Sequence, residues 1–216
     1  MMTSGDIYGL LLVYMYVFVL IAVTEKIVNN GLLSRKILHV CVGNVLFILP
    51  LFDSRWVMTF LAAAPFVLLT YLISPYSPLK TVSKTSSKGH SLGLFYYAVS
   101  WTVLAFFFFE RPEIIAVGIV AMSYGDGFAS MVGVRYGKRK FNVCGDEKSI
   151  EGSITMFGVT AAMAMIVLLY YGVTPIPLYL IVLIPLAATF AEAITPKGLD
   201  NLTISISAAI LYYLLF

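Results

Sequence analysis

Apolar residues run along the chain in eight long blocks, roughly residues 6–25, 37–52, 56–73, 91–109, 112–133, 153–171, 176–194 and 202–216. A helix needs about 20 mostly apolar residues to cross a bilayer, and the blocks are near that length, the last being short. Several connections are tight: "FDSR" at 52–55, "ERPE" at 110–113 and "YGVTPIP" at 171–177 read as turns between antiparallel helices, with Pro112 suited to a helix start. The basic residues then sort by side. Segments 26–36, 74–90, 134–151 and 195–201 hold Lys26, Arg35, Lys36, Lys80, Lys84, Lys88, Arg135, Lys138, Arg139, Lys140, Lys148 and Lys197, whereas the alternate connections hold only Arg55 and Arg111. The positive-inside rule places the basic side in the cytoplasm and both termini outside.

Composition agrees with this pattern. Of 216 residues 60% are hydrophobic and 12% charged, with a mean hydropathy of +0.93, so there is too little polar surface for a soluble domain of this size. The expectation is a single all-α, polytopic membrane domain over residues 1–216 with seven or eight transmembrane helices. Cys41 lies in an apolar block and Cys144 in a polar loop, which predicts free thiols. The start "MMTSGDIYGLLLVYMY" has no basic n-region or small-residue cleavage site, so the first block is expected to remain as a spanning helix. The net charge of +3 needs no partner beyond anionic lipid headgroups, and no basic groove interleaved with aromatics points to nucleic acid.

Topology accounts for the lysines but not for the acids, which are expensive at membrane depth. Asp126 stands between two glycines in "AMSYGDGFASMVG"; Glu192 stands in "ATFAEA". Asp200 and Asn201 begin the last block, Glu151 opens the sixth, and His39 lies one turn into the second, all near the cytoplasmic face. Each has a plainer reading: Asp200 as a helix cap, Glu151 as a favourable first-turn acid, His39 as an interfacial histidine, Asp126 or Glu192 as acids paired with lysine. Gly125, Gly127 and Gly133 leave little bulk, so either another helix packs closely there or a phosphate approaches the backbone. "GKRKF" and "GDEKSIEGS" follow, offering Lys138, Arg139, Lys140 and Lys148, which are equally explained by topology alone. Acids able to hold Mg²⁺ beside bases able to hold phosphates are the minimum for phosphoryl or nucleotidyl transfer. There is no GxxxxGK[ST], so this is not a P-loop protein.

The stretches "SRKILHVCVGN" (34–44), "YGDGFASMVGVRYGKRK" (124–140), "EKSIEGS" (147–153) and "ATFAEAITPKGLDNLTI" (188–204) resemble the integral-membrane polyprenol kinase family, which includes phytol, dolichol and CTP-dependent diacylglycerol kinases. A more distant resemblance reaches the phosphatidate cytidylyltransferases. In compactness the chain is similar to the phytol kinase-like branch. The resemblance implies CTP as phosphate donor, Mg²⁺ and a long-chain lipid alcohol acceptor. By motif it implies nucleotide contacts from Arg35, Lys36, Gly125, Gly133, Lys138, Arg139, Lys140, Ser149, Gly152 and Asn201. In the mechanism these residues could support, Asp126 holds Mg²⁺ helped by Glu192 and Asp200, Asp126 and Lys148 are catalytic, and Glu151, His39 or a carboxylate not engaged by metal serves as base, with Glu151 narrowly ahead of His39. Asn44, Asn142 or Asn201 could read the cytosine edge, and the Ser/Lys-rich segment 74–90 could close over the nucleotide through Lys84 and Lys88. Three other activities remain open: cytidylyl transfer giving a CDP-lipid, phosphorylation of diacylglycerol, and a small transporter, although no internal repeat is evident. A homodimer is the default assembly.

Overall fold

The computed structural model describes residues 2–27, 31–77, 92–143, 146–196 and 198–216. All eight apolar blocks are helical. Helix α1 is Ser4–Ile27. Helix α2, Gly31–Val42, continues through 3₁₀ turns at Gly43–Phe47 and Leu49–Leu51, where Pro50 interrupts the regular hydrogen-bond ladder. The third rod begins as a π turn, Val57–Ala63, and becomes α3, Ala64–Leu72. Helix α4 is Gly93–Phe108. The fifth rod joins α5, Pro112–Val120, to a π turn, Ala121–Asp126, and then to α6, Gly127–Tyr136. Helices α7 (Ile150–Tyr170), α8 (Leu178–Ile194) and α9 (Asp200–Leu215) complete the bundle. Four rods, Ser4–Lys26, Leu33–Leu51, Pro112–Tyr136 and Ile150–Tyr170, are long and apolar enough to cross a membrane by length and composition; the other four are shorter apolar helices.

The structure departs from the all-α expectation at the basic segment after α6. Strands β1 (Lys140–Val143) and β2 (Asp146–Ser149) pair antiparallel, Lys140 opposite Ser149 and Val143 opposite Asp146. The two strands have only four residues each, and no apolar run marks them. Their signal is the alternation of half-buried Phe141 and Val143 with exposed Lys140 and Asn142.

The fifth rod is the core. Every residue from Ile114 to Ser123 is buried, so this helix is apolar on all faces, as a helix surrounded by other helices must be. It packs against α4, α7 and α9. Gly118 permits the closest approach: a Cβ there would lie 2.7 Å from the Ser205 carbonyl oxygen and 2.9 Å from Leu104 Cδ1. Small residues at such crossings let helix backbones meet in a bilayer, where apolar side chains gain nothing by leaving lipid. Gly118→Ala is therefore expected to destabilise the protein by about 1–3 kcal/mol through overpacking, read as a lower melting temperature in detergent with the site residues unchanged. The outer helices behave oppositely: Leu11, Met15, Phe18, Leu178 and Phe190 are exposed, forming an apolar surface suited to acyl chains.

The rods run back and forth between two chemically different ends. At one, buried Asp6 accepts from the backbone N–H groups of Asp53 and Ser54, both at 3.1 Å, fastening the tight second connection. Both arginines there are paired, Arg55 with Glu110 at 3.3 Å and Arg111 with Glu113 at 2.8 Å. The opposite end carries the other described basic residues and the cluster described next.

Candidate active site

Five elements bring polar side chains together at the basic end. The π turn in the central rod packs α2 alongside it, and His39 of α2 sets Nε2 3.0 Å from the Met122 carbonyl oxygen and 3.4 Å from Asp126 Oδ2. Both partners are acceptors, so the neutral ring carries its proton on Nε2 and keeps its lone pair on Nδ1. Tyr97 of α4 meets this ring edge-on at 4.8 Å, donates to the His39 carbonyl at 3.2 Å, and lies 2.7 Å from the Ser123 hydroxyl. π turns commonly mark functional sites, and this one ends on Asp126.

A second pair stands nearby. Lys148, the third residue of β2, contacts Glu192 of α8 at 2.9 Å and also donates to the Glu192 carbonyl oxygen. Their side chains are only 10% and 11% exposed, while Glu192 Oε2 is buried without a hydrogen-bond partner. Asp126 lies in the fields of Glu192, Lys148, Lys36 and Arg35; Asp200, in turn, in those of Asp126, Lys148 and His39. Asn201 donates to the Gly93 carbonyl at 3.0 Å. Gly93 also makes room for Arg35, whose guanidinium would be 2.5 Å from a Cβ at that position. Arg35, Lys36 and Lys148 thus balance Asp126, Glu192 and Asp200. Such compensation is what permits so many ions to be withdrawn from water.

The donor chemistry suits a hard cation. Carboxylate oxygens are the ligands Mg²⁺ prefers, and one of them, Glu192 Oε2, has no partner. Among the described residues, however, no group of three His, Cys, Asp or Glu side chains is close enough to form a cage. The expected set of Asp126, Glu192 and Asp200 is therefore not a preformed three-ligand centre, since Glu192 is already committed to Lys148. What fits is an Mg²⁺ shared between one or two carboxylates and substrate phosphates, the usual arrangement for this ion.

Of the residues expected from sequence, Arg35, Lys36, His39, Asp126, Lys148, Glu192, Asp200 and Asn201 belong to this cluster. Glu151 does not: its carboxylate accepts from the backbone N–H groups of Lys138 (3.1 Å) and Arg139 (3.3 Å), closing the turn between α6 and β1. Ser149 caps α7, accepting from Gly152 N at 3.1 Å. The glycines resolve toward helix packing rather than phosphate binding. A Cβ on Gly125 would strike Thr160 Oγ1 at 2.3 Å, one on Gly133 would meet Ser149 Oγ at 3.0 Å, and one on Gly152 would meet the Ala129 carbonyl at 3.1 Å. Lys138, Arg139 and Lys140 are exposed beside the cluster, Lys140 pairing with Glu147 at 2.5 Å across the hairpin. Asn44 is spent elsewhere, donating to the Tyr16 hydroxyl at 2.9 Å and accepting from Tyr124, which removes it as a reader of cytosine. Asn142 is exposed on β1. Cys41 is a free thiol. Cys144, Lys84, Lys88 and most of the segment expected to close over the nucleotide lie outside the described residues. Nothing in the sequence marks Tyr97, Ser123 and Gly93, which are small or aromatic residues inside apolar blocks without a motif to distinguish them.

His39 has a second neighbourhood. With Tyr97 it forms part of the wall of an otherwise almost wholly apolar cavity of about 340 Å³ between α1, α2, the third rod and α4. One face of the imidazole's environment is thus ionic and the other is oil.

Fold and site together define a membrane-embedded helical protein with an acid–base cluster at one end of its bundle. The chain is 32% identical over 202 residues to the phytol kinase of Synechocystis sp., a match covering 88% of this chain and 84% of that protein. It is 33% identical over 217 residues to a probable chloroplastic phytol kinase of Triticum aestivum, covering 90% and 71%, and 28% identical over 216 residues to the chloroplastic phytol kinase 1 of Arabidopsis thaliana, covering 90% and 70%. No family model and no solved structure matches it. The chain belongs to the phytol kinase family.

Proposed function

We propose that the protein phosphorylates an isoprenoid alcohol in the membrane, using CTP as donor, at a site on the cytoplasmic face. The observation carrying this reading is His39, which touches Asp126 within the ionic cluster and also borders the apolar cavity. A long-chain alcohol presents the same two characters, an apolar body and one reactive hydroxyl. Family membership supports the kinase class and an alcohol of the phytol type. The sorting of twelve basic residues against two, of the fourteen in the chain, supports a cytoplasmic site and extracytoplasmic termini.

In this mechanism the triphosphate lies over Lys36, Arg35 and Lys148, with Lys138 and Arg139 at its outer edge. The alcohol oxygen attacks the γ-phosphorus as its proton passes to His39 Nδ1. The new O–P bond forms while the bond to the β-phosphate oxygen breaks, releasing CDP. Asp126 and the Met122 carbonyl hold His39 through Nε2–H, so the ring faces the hydroxyl in the right tautomer and its transient positive charge is stabilised. Glu192 keeps Lys148 extended toward the phosphates. Mg²⁺, when bound by Asp126 and Asp200 with phosphate oxygens, would supply the charge neutralisation that phosphoryl transfer requires.

The test uses purified protein with Mg²⁺, a panel of isoprenoid alcohols, and CTP or ATP labelled at the γ or α phosphate. Label from γ-labelled CTP in the lipid is the expected result. Label from the α position would establish cytidylyl transfer instead, and preference for ATP would overturn the donor assignment. No label from any donor would overturn the kinase reading.

A further inference from the structure

The cavity beside His39 has a polar end, a closed end and a measurable length. His39 and Tyr97 stand at the polar end, near the ionic cluster. At the other end Leu49, Phe52 and Met58 form a floor, each 7% exposed or less. Phe52 is backed by α1, where its ring lies over Gly9 so closely that a Cβ there would be 2.9 Å from Cζ. Ala98, Trp101 and Ala105 of α4 line one side. On the opposite side the wall passes between α1 and α3. Tyr14 closes the lower part of that seam, meeting Phe66 at 5.5 Å and donating to the Leu61 carbonyl. Above it Phe18 and Leu69, which also line the cavity, are 53% and 37% exposed on the lipid-facing surface.

The lining on α1 runs from Val13 to Glu25 and on α4 from Leu94 to Ala105. At 1.5 Å per residue these are lengths of about 18 Å and about 16 Å. An extended chain of single bonds advances about 1.2 Å per bond, as a polypeptide does in gaining roughly 3.5 Å over three. The whole slot therefore accepts a backbone of about thirteen to fifteen atoms, of which the stretch from Tyr97 to Ala105 holds about ten, and its volume is at the small end of ligand sites, which start near about 300 Å³. That is room for one isoprenoid chain, neither the two chains of a diacylglycerol nor the full tail of a long polyprenol.

We propose that this cavity is the tail site of the lipid alcohol, entered sideways between α1 and α3, and that the Phe52–Met58 floor limits the length of chain that is phosphorylated. The inference rests on the kinase reading for the use to which the bound alcohol is put, but not for the binding itself. With the tail against the floor and the hydroxyl at His39, a chain of matching length spans the slot. A longer one keeps its head short of the phosphates unless its surplus leaves through the α1–α3 seam.

Two measurements test it. First, the wild-type protein without nucleotide is irradiated with a diterpenoid alcohol bearing a diazirine at its far end, and the labelled peptides are sequenced. Label on Leu49, Phe52 or Met58 is expected; label confined to outer lipid-facing residues such as Leu178 or Phe190 would overturn the tail site. Second, phosphorylation is compared across alcohols of increasing length. Phe52→Ala should raise kcat/KM for longer relative to matching chains by about tenfold or more, and Ala105→Leu should shift the preference toward shorter ones. An unchanged length profile in both active variants would overturn the ruler. Label at the floor with no phosphorylation of any alcohol would leave the binding site standing and remove the kinase reading; phosphorylation with label elsewhere would do the reverse.

Discussion

Asp126→Asn is expected to leave a folded protein that transfers phosphate at least about 10²–10³-fold more slowly, the range for losing one preorganised electrostatic group. The substitution keeps the side chain's shape and leaves an amide oxygen that can still accept from His39 Nε2, now 3.4 Å from Asp126 Oδ2. What it removes is negative charge, the quantity on which both a shared Mg²⁺ and a transiently protonated His39 depend. The loss should appear in kcat more than in KM, because neither role is needed to seat the lipid tail. Measurement of both constants, with a melting curve to establish folding, checks the claim. Activity within a few-fold of wild type would make Asp126 a packing acid and move the reaction elsewhere.

Lys148→Met should act first on stability. Lys148 and Glu192 form a pair with side chains 10% and 11% exposed, and Glu192 Oε2 has no hydrogen-bond partner. Removing one member of such a pair strands the other, typically at a cost of about 3–5 kcal/mol, whereas replacing both with apolar residues is often neutral. The single variant is thus expected to melt well below wild type, and the double variant Lys148→Met/Glu192→Leu to recover most of the difference. Activity should not recover with it, since phosphate binding needs the lysine itself. Thermal unfolding in detergent and γ-phosphate transfer, measured on the same three proteins, separate the two contributions. A double variant as unstable as the single one would mean that shape, not charge, holds α8 against β2.

The helices were legible because their signal is long: the eight apolar blocks lie within a few residues of the helices observed, and Pro112 begins α5 as expected. The acids were legible because charge is conspicuous in so apolar a chain. The partners of those acids were not. Nothing in the spacing between residues 39 and 126, or 148 and 192, says that these pairs meet; only the packing of the bundle does. Glu151 is an example. A carboxylate in such a motif suggests a base, yet its oxygens accept from the backbone N–H groups of Lys138 and Arg139. The glycines show the converse, since a residue without a side chain serves a phosphate or a neighbouring helix equally well in sequence, and Thr160 decides for Gly125. The hairpin escaped because strands of four residues are too short to rise above the surrounding charge.

The π turn at Ala121–Asp126 gives the central rod one further property. Each residue added to or taken from a helix rotates everything beyond it by about 100°, at 3.6 residues per turn. Here the widened turn separates a core stretch, Ile114–Val120, from the residues that face α2 and α7. Insertions and deletions are therefore a different hazard from substitutions in this segment. The π turn itself can absorb the loss of one residue by relaxing to ordinary helix, but a residue lost from the regular turns of Pro112–Val120 would swing Asp126 away from His39, although every side chain involved in the chemistry survived. The number of residues between Pro112 and Val120 therefore matters to the site alongside the identity of each one.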